Sequence, residues 1–266
     1  MAATLANPAS PAKIRLGGMA LQNGVLVHGP TSWACAVRTA KGIRVATGRK
    51  SVRGARVKTP FLRGPARLAD AFVLLKDVHR KLPEAQLPFA RPEVLAALVA
   101  TSITAKKLKS NESIPALARE FLAGFLSIAP AVAALSGGEL ASYHGAEHIA
   151  IGSYEHDEPR PKEHERCGSH LVGPMLVGQA LAGAAVARAP RAARPFVGLA
   201  GSLAALAGAT ELFAWMAKHP GHMLAKALAR PGHELQARLG TREPTREQLD
   251  VAETALEACL ALEGQA

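Results

Sequence analysis

Residues 171–187, with the sequence LVGPMLVGQALAGAAVA, set the kind of fold that this chain can adopt. Gln179 is the one strongly polar residue in this stretch, and its many Gly and Ala residues favour close packing between helices. Residues 195–217 form a second apolar stretch, long enough to span a bilayer with some tilt, although Glu211 lies near its end. These stretches predict closely packed helices, in a membrane or in a soluble bundle.

Two further apolar stretches, residues 94–105 and 121–135, precede this pair, but each is shorter than the roughly 17 residues that a membrane span needs. We predict a mainly α protein, a membrane helical bundle of about four segments arranged as two hairpins. A small N-terminal β-rich cap and amphipathic flanking helices complete the expected fold. A soluble helical bundle is the alternative.

The regions outside the apolar stretches carry local signals of their own. Short β-like runs at 24–28, 33–38 and 42–46, separated by Gly and Pro, predict a three-stranded meander or a small barrel-like cap. Residues 66–81 predict an amphipathic helix in which four residues recur at helical spacing: Leu68, Phe72, Leu75 and His79. Near the C-terminus, Thr245 as N-cap with Gln248 three residues later predicts a helix that runs to about Glu263.

These signals divide the chain into four regions. Residues 1–13 are predicted to be disordered, and 14–60 form a small β-rich region. Residues 61–217 form a helical, membrane-embedded region that contains a metal-site loop at 138–170. Residues 218–266 contribute turns and an amphipathic helix.

Charge and cysteine usage bear on partners and compartment. The net charge of +11 favours anionic partners such as membrane lipids. No stretch pairs basic residues with stacking aromatics, so nucleic acid is not an expected partner. The three cysteines, Cys35, Cys167 and Cys259, are odd in number and far apart, which favours a reducing compartment. If all four segments span the membrane, the positive-inside bias places both termini and the metal-site loop on the cytoplasmic side of the cell membrane.

The chemistry is concentrated in residues 143–168, YHGAEHIAIGSYEHDEPRPKEHERCG, which begin with an H-x-x-E-H pattern. Residues four apart lie on one helix face, so His144 and His148 can bind one divalent metal ion, with zinc expected, while Glu147 acts as general base. The alternative is a solvated polar helix. A third metal ligand is required, and the candidates are His164, Cys167 and Glu155, with His164 slightly ahead of Cys167.

Three further charged residues have two or more interpretations each. Arg166 is suited to binding an anionic group, or to a salt bridge with Glu155 or Glu163. Glu211, at membrane depth, would complete the metal site, relay protons, or pair with Lys218. Arg63 is interpreted as a cation at the membrane surface or at a helix cap.

The chain resembles the YqhQ family of uncharacterised bacterial multi-pass membrane proteins, described only as predicted metal-dependent enzymes. The resemblance rests on six blocks in order: Gly17-Gly18-Met19-Ala20-Leu21-Gln22-Asn23-Gly24-Val25, PFLRG at 60–64, YHGAEH at 143–148, Tyr154-Glu155, His164-Glu165-Arg166-Cys167-Gly168, and Leu235-Gln236 with Glu243-Pro244. Met19 and Asn23 stand where the family has Gln and Glu, so an activity that needed that Glu would be lost here.

Two functions from different classes follow. The first is a membrane-bound metal-dependent hydrolase that acts on a lipid or peptide substrate at the cytoplasmic surface. The second is a non-catalytic membrane scaffold or assembly factor whose histidine loop is a structural metal site or a partner site.

Overall fold

A computed structural model describes residues 13–51, 53–111, 113–126, 129–135 and 139–264. It is mainly helical with a small N-terminal sheet, as predicted. The helices in chain order are α1 Arg63–Lys81, α2 Pro92–Ser110, α3 Ala116–Leu126, α4 Ala129–Leu135, α5 Leu140–His156, α6 Val172–Arg188, α7 Arg194–Lys218, α8 Met223–Leu235 and α9 Arg246–Glu263. The segment predicted to be disordered lies, apart from Lys13, outside the described residues.

The N-terminal sheet is an antiparallel meander in the order β1-β2-β3-β4. Its strands are β1 Gly17–Leu21, β2 Gly24–His28, β3 Ser32–Thr39 and β4 Gly42–Arg49. The three predicted runs are confirmed as β2, β3 and β4. Strand β1 was not predicted because it begins with two glycines, which have low strand propensity.

The sheet is covered on both faces, because alternate side chains of each strand point to opposite sides. One core joins Val25 and Val27 of β2 to apolar residues of α5 and α9. A second core joins Leu26 and Trp33 to apolar residues of α1. Helix α5, which carries the H-x-x-E-H pattern, is therefore packed firmly against the sheet.

Helix α1 forms where it was predicted, but its buried face differs from the predicted one. Leu74 and Val78 are buried against the sheet, whereas Leu68 and Phe72 are 43% and 64% exposed. The two pairs lie on different faces of one helix, and contact with Leu26 and Trp33 selects the face with Leu74 and Val78. The outer face of α1 therefore presents large apolar side chains.

Helices α6 and α7 form an antiparallel hairpin in which small residues meet. A Cβ added to Gly178 would lie 2.9 Å from the Ala205 side chain, and one added to Gly201 would lie 2.8 Å from the Ala182 side chain. Such close approach of two helix backbones is typical of membrane helices. The spans Gly168–Arg188 and Arg191–Lys218 are long and apolar enough to cross a membrane.

Among the described residues these two spans alone meet that test, so the predicted four-segment membrane bundle is not confirmed. Helix α2 carries Lys106, Lys107 and Lys109 near its C-terminus, which lowers its hydropathy. Within the stretch 121–135 the structure describes the end of α3, up to Leu126, and all of α4, Ala129–Leu135.

Candidate metal centre

Helix α5 places the two motif histidines one turn apart on one face. The ring centroids of His144 and His148 are 4.3 Å apart. A small residue follows His144, and a Cβ on Gly145 would lie 2.2 Å from the carbonyl oxygen of Arg242. Because Gly145 has no side chain, the segment before α9 can pass close to the helix. The Arg242 N–H there donates to the Ala141 carbonyl at 2.9 Å.

Both histidines are oriented by hydrogen bonds to backbone carbonyls. The Nδ1 atom of His144 lies 2.7 Å from the carbonyl oxygen of Gly240, and Nδ1 of His148 lies 2.6 Å from that of Lys162. A carbonyl oxygen can only accept, so each Nδ1 carries the proton and each Nε2 keeps a free lone pair in the neutral ring. This outer-shell arrangement is typical of histidines that bind zinc through Nε2.

Cys167 completes a cluster of three candidate ligands. Its Sγ lies 3.5 Å from Nε2 of His144, and one ligand atom from each of His144, His148 and Cys167 lies within 4.8 Å of the others. In a tetrahedral zinc site, bonds of about 2.0 Å to nitrogen and about 2.3 Å to sulfur separate the two atoms by roughly 3.5 Å. The separation of His144 and Cys167 matches this geometry, and the ligand atom of His148 lies within 4.8 Å of both, so the three residues are placed to hold one zinc ion.

Burial of His148 favours the form that binds metal. Its side chain is 3% exposed, and burial lowers its pKa, with the nearby His144 acting in the same direction. Its imidazole is therefore neutral at physiological pH. A neutral imidazole is the form that metals bind.

Glu147 lies beside this cluster in a closed environment. One carboxylate oxygen, Oε2, is 3.6 Å from Nε2 of His148, and the residue is 7% exposed. Burial raises the pKa of Glu147, and the neighbouring His144 and His164 only partly oppose this effect. A carboxyl group with a raised pKa accepts a proton more readily near neutral pH, as a general base must.

Strand β1 leaves space for Glu147 through a glycine. A Cβ on Gly18 would lie 2.1 Å from Oε1 of Glu147. Any larger residue at this position would displace the carboxylate. The sequence contains this glycine within its first motif block, but the reason for it is visible only in the fold.

His164 lies near the cluster but is bonded elsewhere. Its ring centroid is 5.5 Å from that of His148, and its Nδ1 accepts the backbone N–H of Arg166 at 3.2 Å. Its Nε2 lies 3.4 Å from Oε2 of Glu155. The structure therefore brings Cys167 together with His144 and His148, and it places His164 in a second layer with Glu155.

Glu155 and Arg166 form the ion pair that was one of the two interpretations of Arg166. Burial alone would raise the pKa of Glu155, but hydrogen bonds from His164 and Arg166 hold that pKa below its ordinary value. Gln236, which is fully buried, ties this layer together. Its Oε1 accepts the His164 N–H at 2.9 Å, and its Nε2 donates to Ser169 Oγ at 2.8 Å.

Glu211 lies on α7, away from the metal cluster. Its partner is Arg63, whose guanidinium contacts both carboxylate oxygens, and the Phe61 N–H also donates to Oε1 at 3.1 Å. The sequence left open that Glu211 would complete the metal site or pair with Lys218. Glu211 contacts neither of them. The pair joins the start of α1 to the candidate span, where a Cβ on Gly64 would lie 2.0 Å from Thr210 Oγ1.

A cavity of about 410 Å³ opens beside the cluster. The three cluster residues line it, together with Glu147, His164 and Arg166. Apolar side chains from β1 and the residue before it, from α4, from α5 and from the segment before α2 form another part of the wall: Leu16, Met19, Ala20, Pro88, Phe89, Ala134, Leu140 and Ile151.

Met19 and Asn23, the two residues that depart from the pattern of the resembled family, lie in different parts of the structure. Met19 lines this cavity. Asn23 lies at the β1–β2 turn, where its side chain bonds to the backbone of Arg38, Glu84 and Gln86. Position 23 therefore has a structural role here, and it is not part of the cavity wall.

Fold and site together define a mainly helical chain with two long apolar helices and a His–His–Cys cluster. A family model for DUF1385, a protein of unknown function, matches residues 89–262. The match covers more than half of the chain and includes every residue of the cluster, so the chain belongs to the DUF1385 family. No curated protein matches the chain. No solved structure matches it either.

Proposed function

We propose that this chain is an integral membrane protein with a zinc centre of His144, His148 and Cys167, and that it hydrolyses a lipid or peptide substrate at the cytoplasmic surface. The observation that carries the proposal is the pair of Nδ1 hydrogen bonds, which leave both Nε2 atoms unprotonated, with that of His144 accepting from the Cys167 thiol at 3.5 Å. The resemblance to the YqhQ family, with its bacterial membrane proteins and predicted metal-dependent enzymes, supports the same reading.

The surface of the helices supports membrane placement. In the most apolar window of each span, only 22% and 17% of the residues are buried, whereas a core helix of a soluble protein is mostly buried. Large exposed apolar side chains are concentrated on α2, α3, α6 and α7: Leu95, Leu98, Val99, Ile103, Phe121, Leu122, Phe125, Val177, Leu181, Phe196, Leu199 and Leu203. A continuous apolar surface of this kind marks an interaction with lipid or protein. Its extent over α2 and α3 supports embedding of all four apolar segments.

Orientation follows from the parity of the spans and from the cysteines. Two spans, or four, return the chain to the side on which it began, so the metal centre and the C-terminal region share one side. Cys35, Cys167 and Cys259 are free thiols, which suits the reducing cytoplasm. We therefore assign the metal centre and both termini to the cytoplasmic side of the cell membrane.

In the proposed hydrolysis, the residues of the site have different roles. His144, His148 and Cys167 would hold a zinc ion, which when bound would supply Lewis acidity and lower the pKa of water to about 7. Glu147 takes a proton from the attacking water at its carboxylate, and its raised pKa suits that role. The apolar wall, in which Phe89 is 54% exposed and so accessible to a ligand, binds the apolar part of the substrate.

A non-catalytic scaffold or assembly factor is the second candidate, and one observation favours it. Oε2 of Glu147 is 3.6 Å from Nε2 of His148, close enough for Glu147 to serve as a fourth ligand. A site closed by four protein ligands is structural, because it leaves no position for water.

Elemental analysis of the full chain, purified in mild detergent, tests the metal centre. We expect about one zinc per chain, and a large loss in the His144→Ala/His148→Ala variant. His156→Ala, a change on the same helix outside the cluster, is the matched control and should keep the zinc. Equal metal content in all three proteins would overturn the proposal.

The Glu147→Gln variant separates the two candidates. As a general base, Glu147 is not a ligand, so the variant should keep its zinc but lose hydrolysis of phospholipid vesicles and of an unstructured peptide. As a fourth ligand, its replacement should lower zinc affinity by roughly tenfold or more.

A further inference from the structure

We propose that a second pocket, between α8 and the segment that leads into α6, binds the phosphate of an anionic phospholipid headgroup. The pocket has a volume of about 500 Å³ and is separate from the metal cluster. Its walls come from the loop after α5, from the short 3-10 helix Gly168–Leu171 and from α8: Pro161, Glu163, His164, Glu165, His170, Lys226, Ala229, Arg230 and His233.

Two cations of α8 line this pocket together with two carboxylates, Glu163 and Glu165, which have partners of their own. Lys226 and Arg230 are four residues apart and line the same wall. Within the described residues neither has an ion-pair partner: Glu163 pairs with Lys162, and Glu165 lies beside His156 and Arg160. Like charges four residues apart destabilise a helix, and a bound anion removes that repulsion.

A buried histidine gives the pocket a second polar feature. His170 is 6% exposed and lines the wall, and its Nδ1 is buried without a hydrogen-bond partner in the described part of the chain. A buried ring nitrogen without a partner is rare in native proteins and makes His170 an unusual group in the wall of this pocket. Helix α8 is held against this residue, since a Cβ on Gly232 would lie 2.7 Å from the Cα of His170.

The position of the pocket identifies the anion as a lipid headgroup. His170 lies in the first turn of the span Gly168–Arg188, and α8 begins five residues after the other span ends at Lys218. The pocket is therefore at the end of the hairpin. Met223 and Leu224, at the start of α8, are 83% and 52% exposed, as expected for an interfacial helix that inserts apolar side chains beside the headgroups. Basic pockets at the cytoplasmic ends of membrane helices bind anionic headgroups in this way.

Lipid titration of the full chain in mild detergent, followed by native mass spectrometry, tests the pocket. We expect phosphatidylglycerol to bind more tightly than phosphatidylcholine, and the Lys226→Ala/Arg230→Ala variant to lose about tenfold or more of that affinity. The matched control is Arg188→Ala/Arg191→Ala, which removes two cations from the opposite end of the hairpin and should change the affinity little. Equal losses in the two variants, or no loss in either, would overturn the proposal.

Two further measurements separate the possible failures. Competition by free glycerol phosphate at the same affinity as the lipid would show a site for soluble phosphate and overturn the lipid assignment. The proposal rests on the membrane placement of α6 and α7 proposed above, which carbonate extraction of the native membranes tests separately. It does not rest on the metal centre, and the zinc content of the Lys226→Ala/Arg230→Ala variant should equal that of the wild type.

Discussion

At the scale of single residues, backbone carbonyls are as important to the proposed metal centre as its side chains. Gly240 and Lys162 each accept the Nδ1 proton of one histidine. Because these partners are carbonyls, a substitution at either position leaves the acceptor in place. The sequence gives no sign of them, since every residue has a carbonyl.

Cobalt substitution distinguishes the third ligand. If Cys167 binds the metal, the Co²⁺-loaded protein shows a thiolate-to-cobalt charge-transfer band. We expect Cys167→Ser to abolish this band and His164→Ala to keep it, because Nδ1 of His164 accepts from the Arg166 N–H and its Nε2 lies beside Glu155. A band lost in the His164 variant and kept in the Cys167 variant would reverse the assignment.

Gly18→Ala should damage the site without touching a ligand. The added methyl group would overlap Oε1 of Glu147. We expect this overpacking to lower the free energy of unfolding by about 1 to 3 kcal/mol. The measurements are thermal unfolding and zinc content. Gly221→Ala, where no atom lies within 4 Å of the added Cβ, is the control and should behave like the wild type.

His28 should make the fold sensitive to acid. Burial and the nearby Lys50 lower its pKa to about 4 in the folded chain, against about 6.5 when unfolded. Between these values the unfolded chain binds a proton that the folded chain does not, so stability falls as the pH drops from about 6.5 to about 4, by up to about 3 kcal/mol.

Unfolding of the metal-free protein across this pH range measures the effect. The His28→Gln variant should lose part of the pH dependence, whereas His79→Gln, at an exposed position on α1, should keep the wild-type slope. Parallel curves for His28→Gln and the wild type would contradict the prediction.

At the scale of elements, local signals in the sequence predict structure well. The N-cap Thr245 and its partner Gln248 form a complete capping box at the start of α9. The spacing of His144 and His148 likewise predicts a shared helix face. By contrast, the buried face of α1 depends on which residues of the sheet it meets, which its own periodicity does not reveal. The choice between His164 and Cys167 as third metal ligand depends on the path of the chain after α5. That helix ends at Asp157, which adopts a left-handed backbone conformation.

The capping box supplies a test at this scale. Thr245→Ala removes the acceptor for the Gln248 N–H and should lower the free energy of unfolding by about 1 kcal/mol. Thr254→Ala makes the same change in the middle of α9, where its hydroxyl bonds to the Asp250 carbonyl within the helix. This control should be neutral or slightly stabilising, because Ala has the higher helix propensity.

At the scale of the whole molecule, the orientation proposed above is open to a direct test. An even number of spans requires the N-terminal sheet and α9 to lie on one side, where they share a core. Reporter domains fused to the two termini should therefore both fold and fluoresce in the cytoplasm. Signals from opposite sides of the membrane would contradict this arrangement.

The shared core and the metal centre also constrain how the protein is made. His144 lies before the α6–α7 hairpin, and the Gly240 carbonyl that orients it lies after the hairpin. In the proposed membrane arrangement, the His144 imidazole can reach this carbonyl only after both apolar helices have been synthesised and the chain has returned to the side on which it began. A chain that crossed only once would leave its two halves on opposite faces of the bilayer. We therefore expect metal loading to follow membrane insertion, so that metal content reports on correct biogenesis.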